Sequence, residues 1–290
     1  MTMSTVRFLV PVLLSFAFAA GLQAQATNKI EFPAPSPTAS LKQRVGLTDI
    51  SIDYSRPGVK GRQIFGGLIP YGEVWRTGAN AASKISFSTP VKLNGTEIPA
   101  GTYELFSIPA KDKWTVILAK DSSDWGAYSY DPKNDVARIA AQPRTAPELV
   151  ETFTIGLGDL RDESATLYLA WENTYVPLKL EVDVAAKLVP QIKAAMASDS
   201  AEKPYFQAAL FYFEHQIDLN QAAEWMDAAS QAQPQAFWVF YHKARLLAAL
   251  GRKADAIAAA QRSIEIAKKA GGAVQEEYIR LNENLIARLR

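Results

Sequence analysis

The sequence predicts an α+β protein, in which an antiparallel β-sandwich or open barrel is followed by an all-α array of helical repeats. Two observations predict this fold. Short segments of alternating apolar residues, separated by turn residues, fill positions 41–184. Over 185–290 alanine becomes frequent and apolar residues recur at intervals of three and four, the period of an amphipathic helix. A chain of 290 residues is long enough for two ordinary domains.

The N-terminus has the features of a secretory signal peptide. A single basic residue, Arg7, precedes an apolar run, and small residues follow that run. The run is about 15 residues long, which is shorter than the roughly 20 that a membrane-spanning helix needs. We therefore expect a signal peptide over 1–26, cleaved after Ala24 or Ala26, and a periplasmic or secreted protein without a membrane span.

A proline-rich segment follows the predicted signal peptide. Pro33, Pro35 and Pro37 lie close together within residues 27–40. Closely spaced prolines favour an extended, solvated chain over packed structure. The sequence therefore predicts a tether between the cleavage site and the first strand.

The β region predicts about seven to nine strands, each bounded by Gly, Pro, Asn or Asp. Its clearest hairpin signal is Asn94-Gly95, because both residues readily adopt the positive φ angles of a type I′ turn. No segment of helical period interrupts the strands, which favours an antiparallel sandwich or open barrel. The long loops are then expected between Ser55 and Ala82 and between Lys120 and Pro147.

The C-terminal part resembles tetratricopeptide repeats. In the stretch FWVFYHKARLLAALGRKADAIAAAQRSIEIAKKAG, Gly251 falls at the expected turn between two helices. The preceding stretch matches at a spacing of 33, which aligns Ala223 with Ala256 and Ser230 with Ser263. Because about three stacked repeats are needed for stability, we expect this array to be stabilised by packing against the β-domain or a partner. Its aromatic residues fit either a protein-docking groove or a helical core.

Composition excludes several classes of function. The chain has no cysteine, which excludes disulfides, thiolate nucleophiles and cysteine-based metal sites. Its two histidines, His215 and His242, are too few for a polyhistidine metal centre, so we expect neither metal nor cofactor. The net charge of +1 gives no reason to expect nucleic acid as a partner.

The richest candidate site is the loop SRPGVKGRQIFGGLIPYGEVWRTGAN. Its arginine and lysine side chains suit a carboxylate, phosphate or sulfate, since guanidinium binds such groups through paired hydrogen bonds. Its aromatic residues offer a stacking surface for a sugar-like ligand. The alternative is structural: the arginines cap carbonyls and the glycines permit tight turns. The candidate ligand-binding residues are Arg56, Lys60, Arg62, Tyr71, Trp75, Arg76 and Asn80.

The same loop, with the strands after it and the later stretch WGAYSYDPKNDVARI, is similar to the bacterial family of domain of unknown function 2911. The resemblance covers about residues 40–185. It implies an exported β-domain, in some members followed by helical repeats, and it implies no activity or catalytic residues. The positions that carry the resemblance are Ser55, Arg56, Pro57, Lys60, Gly61, Arg62, Phe65, Gly66, Pro70, Tyr71, Gly72, Trp75, Arg76, Gly78 and Asn80.

Three functions follow as alternatives. The first is an exported binding module, in which the basic, aromatic loop holds a small anionic or carbohydrate ligand and the helical array docks a protein. The second is a hydrolase that uses Glu73 or an aspartate as acid or base, with Arg76 as electrostatic stabiliser. The third is a structural envelope scaffold, which predicts that Arg56, Arg62 and Arg76 pair with carboxylates and that no pocket lies beside them.

Overall fold

The computed structural model describes residues 31–120 and 126–290. Within these residues antiparallel strands occupy the N-terminal part and six α-helices follow, so the α+β prediction is confirmed. The predicted signal peptide over 1–26 lies outside the described residues. The strands are β1 Thr38–Val45, β2 Thr48–Ser55, β3 Ser83–Phe87, β4 Val91–Leu93, β5 Thr96–Ile98, β6 Gly101–Ile108, β7 Trp114–Lys120, β8 Asp135–Ala141, β9 Arg144–Gly158 and β10 Ser164–Val182.

The strands form two sheets. A six-stranded sheet has the order β1-β2-β3-β6-β7-β8, and a four-stranded sheet has the order β5-β4-β10-β9. One face of each sheet contributes to a shared apolar core. Ile52, Leu105 and Leu118 enter this core from the larger sheet, and Phe153 and Leu178 enter it from the smaller one. The two sheets therefore pack as a sandwich, and the second face of the larger sheet, called here the outer face, points away from the core.

The long loop between β2 and β3 connects the two sheets. The N–H of Val59 donates to the carbonyl of Glu151 at 2.7 Å, and the N–H of Phe153 donates to the carbonyl of Pro57 at 2.9 Å. This segment thus extends the small sheet beyond β9. Farther along, Trp75 and Ser107 exchange two backbone hydrogen bonds of 2.8 and 2.9 Å, which returns the chain to the large sheet beside β6.

Strand boundaries differ from the sequence prediction in three places. Strand β1 begins at Thr38, inside the segment predicted as a tether, because it pairs with β2 from Thr38↔Ser55 onward. The expected loop between Lys120 and Pro147 contains β8 and the start of β9. The segments ATLYLAW and VPLKLEVDV, each expected from its alternation to be a separate strand, lie in the single strand β10, which ends at Val182. The hairpin at Asn94-Gly95 is confirmed, with φ angles of 47° and 82°.

The helices follow the sandwich directly. Asp183 caps the first helix, because its carboxylate accepts a hydrogen bond from the N–H of Ala186 at 2.7 Å. The helices are α1 Val184–Ala197, α2 Tyr205–Glu214, α3 Leu219–Ala232, α4 Phe237–Ala249, α5 Lys253–Ala270 and α6 Ala273–Leu289. No helix within the described residues has the length and apolar composition needed to cross a membrane.

The helices share the core of the sandwich. Val184 is buried in the sandwich core, and Leu188 and Phe211 pack against it. Residues Ser36–Arg290 accordingly form one compact unit. Farther along, the positions aligned by the 33-residue spacing are all buried on α3 and α5: Ala223, Ser230, Ala256 and Ser263. The resemblance to tetratricopeptide repeats stays a prediction.

Candidate functional site

Trp75, predicted to stack on a ligand, lies in the sandwich core. Its side chain is 5% exposed and stacks on Trp171, with the ring centroids 5.7 Å apart and the planes 18° from parallel. Phe65 and Phe153 meet it edge to face at 5.9 and 5.0 Å. The indole N–H donates to the carbonyl of Gly78 at 3.1 Å. Trp75 therefore stabilises the core and leaves no face for a ligand.

Two arginines of the loop bind backbone carbonyls. Arg56 donates from Nε to the carbonyl of Phe153 at 3.0 Å and from Nη2 to the Thr154 hydroxyl at 2.8 Å. Arg62 donates to the carbonyl of Val59 at 3.0 Å and to that of Gly58 at 2.6 Å. These contacts fasten the loop to itself and to β9. The carboxylate partners that the scaffold alternative predicts for Arg56 and Arg62 are not found among the described residues.

Lys60, Tyr71 and Asn80 lie at the surface of the same loop. The backbone N–H of Lys60 donates to Glu151 Oε1 at 2.9 Å. Tyr71 is 41% exposed, and its ring lies against Gly66, where an added Cβ would come within 2.6 Å of the ring. The side-chain amide of Asn80 donates to the Ser55 hydroxyl at 3.2 Å. The predicted ligand-binding role of Lys60 and Tyr71 stays a prediction.

Arg76 reaches the outer face of the large sheet. Because Trp75 points into the core and is paired with Ser107, the next side chain along the chain points away from it. Its Nε is buried without a hydrogen-bond partner, and Nη1 lies 3.7 Å from the place of a Cβ on Gly126. Among the described residues, no carboxylate lies within 4.0 Å of this guanidinium. Arg76 therefore lies near Gly126, whereas Arg56 contacts β9.

None of the seven predicted residues lines either of two cavities in the described part of the chain. The larger cavity is a groove of about 530 Å³ on the outer face, over β1, β2, β3 and β6. Its lining residues are Lys42, Gln43, Arg44, Asp49, Ile50, Ser51, Ser86, Phe87, Ser88, Gly101 and Thr102.

A row of hydroxyl groups forms the floor of this groove. Ser51 lies opposite Ser86 across β2 and β3, and Ser86 lies opposite Thr102 across β3 and β6. The hydroxyls of Ser86 and Thr102 are 2.8 Å apart and share one hydrogen bond. The Ser51 hydroxyl makes no hydrogen bond to another described residue. Since each hydroxyl has one donor and two acceptor positions, most of the capacity of the row faces the groove.

Charged residues border the hydroxyl row. Arg44 binds Asp49 with two hydrogen bonds of 2.8 and 2.9 Å, and the hydrogen bond from Arg44 lowers the pKa of Asp49. The pair therefore carries no net charge. Lys42, opposite Ser51 on β1, is exposed and has no ion-pair partner among the described residues. The groove consequently combines hydroxyls with a single unpaired cation.

A second cavity, of about 10 Å³, lies on the same face near β7 and β8. It is lined in part by Glu104, which is 2% exposed and lies opposite Lys84 in the sheet register. Tyr130, also in the lining, donates to Asp135, and its hydroxyl accepts from Arg138 at 2.7 Å. Burial, followed by the hydrogen bond to Asp135, raises the pKa of Tyr130. A cavity of this volume holds about one water molecule.

Sequence reasoning missed the groove residues, although a signal for them exists. In each of β2, β3 and β6 one outer-face position carries a small hydroxylated residue: Ser51, Ser86 and Thr102. Each lies next to a buried apolar residue of its strand, and the alternation of side chains along a strand places it on the face opposite the core. The described residues contain no group of three or more His, Asp or Glu side chains arranged to hold a metal ion.

Comparison with known protein families identifies one family that matches this chain. Residues 36–180, half of the chain, match the family described as "Protein of unknown function (DUF2911)". The match includes both sheets and the loop between β2 and β3. No curated protein and no solved structure is significantly similar to the chain.

Proposed function

This chain belongs to the DUF2911 family, and we propose that it is an exported, non-catalytic binding protein whose groove on the outer face holds a carbohydrate-like ligand. One observation carries the proposal: the floor of a 530 Å³ groove is a row of hydroxyls, Ser51, Ser86 and Thr102, that retain free donor and acceptor positions. A volume of this size falls within the usual range for small-molecule sites.

The charges of the groove favour a hydroxylated ligand over a strongly anionic one. Arg44 and Asp49 neutralise each other, so Lys42 is the remaining cation among the residues that line the groove. Two arginines expected to bind an anion, Arg56 and Arg62, instead donate to backbone carbonyls and a hydroxyl. Hydroxyl side chains exchange donor and acceptor hydrogen bonds with sugar hydroxyl groups. We therefore place the ligand class among neutral sugars and singly charged sugar acids.

The geometry favours binding over hydrolysis. A glycosidase needs two carboxyl groups that face each other across the bond to be cleaved. Glu73 is exposed, and Asp49, the carboxylate that lines the groove, is held by Arg44. The acid–base pair that the hydrolase alternative requires has therefore no counterpart beside the groove among the described residues.

The test is a binding measurement with purified full-length protein. We expect thermal stabilisation by one or more members of a panel of neutral sugars and uronic acids, because a ligand that binds only the native state raises its melting temperature. In the double variant S86A/T102V the affinity is expected to fall on the order of tenfold, the effect of losing about 1.4 kcal/mol of hydrogen bonding.

A matched control removes a hydroxyl from the other sheet. Thr166 on β10 donates to Asp159 and lies outside the groove, so T166V is expected to bind like the wild type. Substitution K42Q is expected to weaken the binding of uronic acids and to leave the affinity for neutral sugars unchanged. If no member of the panel stabilises the protein, or if S86A/T102V binds as tightly as T166V, the proposal fails.

Export is the second part of the proposal, and the N-terminal residue pattern supports it. Expression of the full chain in a Gram-negative host is expected to deliver the protein to the periplasmic fraction. Mass spectrometry is expected to find a mature N-terminus at Gln25 or Thr27, the residues after the two predicted cleavage sites. Retention of an intact N-terminus in the cytoplasmic fraction would contradict export.

A further inference from the structure

A row of aromatic and cationic side chains crosses three helices of the C-terminal array. Trp238, Tyr241, His242 and Arg245 lie on one face of α4, since their spacing of three and four places them one above the other. This face joins α2 on one side and α6 on the other. The row, called here the aromatic stripe, consists of Phe206, Trp238, Tyr241, His242, Arg245 and Tyr278.

Ring contacts make the stripe continuous. Phe206 of α2 meets the His242 ring at 5.6 Å between centroids, and Tyr241 meets His242 at 5.2 Å. On the other side, Tyr278 of α6 meets Tyr241 at 5.3 Å. Trp238 is 39% exposed, and the other members are half-buried. The stripe is therefore fixed by packing while part of its apolar surface remains in contact with solvent.

Arg245 lies within the stripe without a counter-ion. Its guanidinium is 5.3 Å from the ring centre of Phe213 and 5.8 Å from that of Tyr241. Its Nη1 is 3.2 Å from His242 Nδ1. No carboxylate lies within 4.0 Å of Arg245 among the described residues, which include the whole helical array. A half-buried cation held only by aromatic rings and an imidazole retains donors for an anion.

Two other cations of the array illustrate the usual pairing with carboxylates. Arg252 pairs with Asp255 at 2.8 Å, and Lys243, which is half-buried like Arg245, pairs with Asp227 at 2.8 Å. The charge of Arg245 is thus uncompensated, in contrast to that of Lys243 on the same helix. An uncompensated, partly buried cation favours a partner that brings an opposite charge to it, because complementary charges across an interface favour association.

The environment of His242 preserves this single positive charge. Burial, and then the nearby charge of Arg245, lower the pKa of His242 from 6.5 to about 4. The ring is consequently neutral at pH 7, and its Nδ1 accepts the hydrogen bond from Arg245. The charge of Glu277 helps to raise the pKa of Tyr278, after burial and the influence of Tyr241, so one carboxylate lies near the α6 end of the stripe.

We propose that the aromatic stripe is a docking surface for an acidic, apolar segment of a partner protein, with a carboxylate of that segment on Arg245 and apolar side chains along Trp238 and Tyr241. The segment complements both properties of the surface, its exposed rings and its uncompensated cation. Glu277 directs the acidic end of the segment away from α6. This proposal concerns a surface separate from the sugar groove and is independent of the proposed ligand.

Selection from a display library of random linear peptides on the immobilised full-length protein tests the proposal. We expect enrichment of peptides that combine Asp or Glu with Leu, Phe or Trp. A selected peptide is then compared with its Asn and Gln counterpart by fluorescence anisotropy. Binding is expected to weaken on the order of tenfold for the uncharged peptide and for R245M, which keeps the packing of the side chain but removes its charge.

Two control variants separate docking from folding. R245K keeps the charge and is expected to retain part of the affinity, whereas R280Q removes an exposed arginine of α6 outside the stripe and is expected to bind like the wild type. Circular dichroism establishes that R245M is folded. The proposal is overturned if no acidic peptide is enriched, if R245M binds as tightly as the wild type, or if the stripe proves to be a dimer interface that R245M dissociates in light scattering.

Discussion

The loop between β2 and β3 and the groove on the outer face use polar side chains in opposite ways. In the loop, Arg56 and Arg62 direct their donors to backbone carbonyls and a hydroxyl of the chain itself. In the groove, Ser51 and Lys42 have no such partners among the described residues. The loop therefore uses its arginines to stabilise the sandwich, whereas the groove presents its polar side chains to solvent.

Substitution W75A tests the structural side of this comparison most strongly. Removing the ring empties the centre of an aromatic cluster that includes Trp171 and Phe153, so we expect a loss of about 3–5 kcal/mol in the free energy of unfolding. Urea denaturation measures it. The control Y71A, at a half-exposed position of the same loop, is expected to cost no more than about 1 kcal/mol. Equal losses in the two variants would contradict the placement of Trp75 in the core.

Exchange of one cation in each region sharpens the comparison. R56M removes the hydrogen bonds to Phe153 and Thr154 and leaves partly buried acceptors unpaired, so we expect a loss of about 1–3 kcal/mol in stability with unchanged sugar binding. K42M, on the exposed side of the groove, is expected to change stability by less than about 0.5 kcal/mol. Thermal and urea unfolding measure both. A stable R56M variant that loses ligand would assign Arg56 to a binding site instead.

An effect that appears only at acidic pH concerns His242, a polar group that is accommodated only when it is neutral. Its pKa is about 4 in the folded chain and about 6.5 when burial is lost. The unfolded chain therefore binds a proton first as the pH falls, and the free energy of unfolding decreases from about pH 6.5 to about pH 4. Comparing urea unfolding of the wild type and H242Q across this range isolates the contribution. Parallel pH profiles of the two proteins would contradict it.

Local signals in the sequence predicted much of the fold. The turn at Asn94-Gly95 and the alternation in β6 and β7 depend on residues close in sequence, and both are found. Strand β8 was missed because two of its three core-facing residues are the alanines Ala137 and Ala141, which carry little β preference. The change from alternation to helical period near position 184 coincides with the start of α1 at Val184.

The site was harder to predict because its determinants are not local. Residue types identified the arginines of the loop, but the acceptors of Arg56 lie almost a hundred positions away on β9, and nothing in the sequence marks them. These acceptors are the carbonyl of Phe153 and the hydroxyl of Thr154. The groove depends on strand register, which aligns Ser51, Ser86 and Thr102 across three strands. Such hydroxyls are also ordinary surface residues of a sheet, so their pattern becomes informative only when the concavity is known.

The core shared by the sandwich and the first helices determines how this protein can be divided. The family match ends at residue 180, yet Val184, Leu188 and Phe211 complete the apolar cluster of the sandwich. A fragment cut at the family boundary would leave that part of the cluster in water, and we expect it to aggregate or to need detergent. We therefore expect the β part to stay soluble only in a fragment that extends through α2.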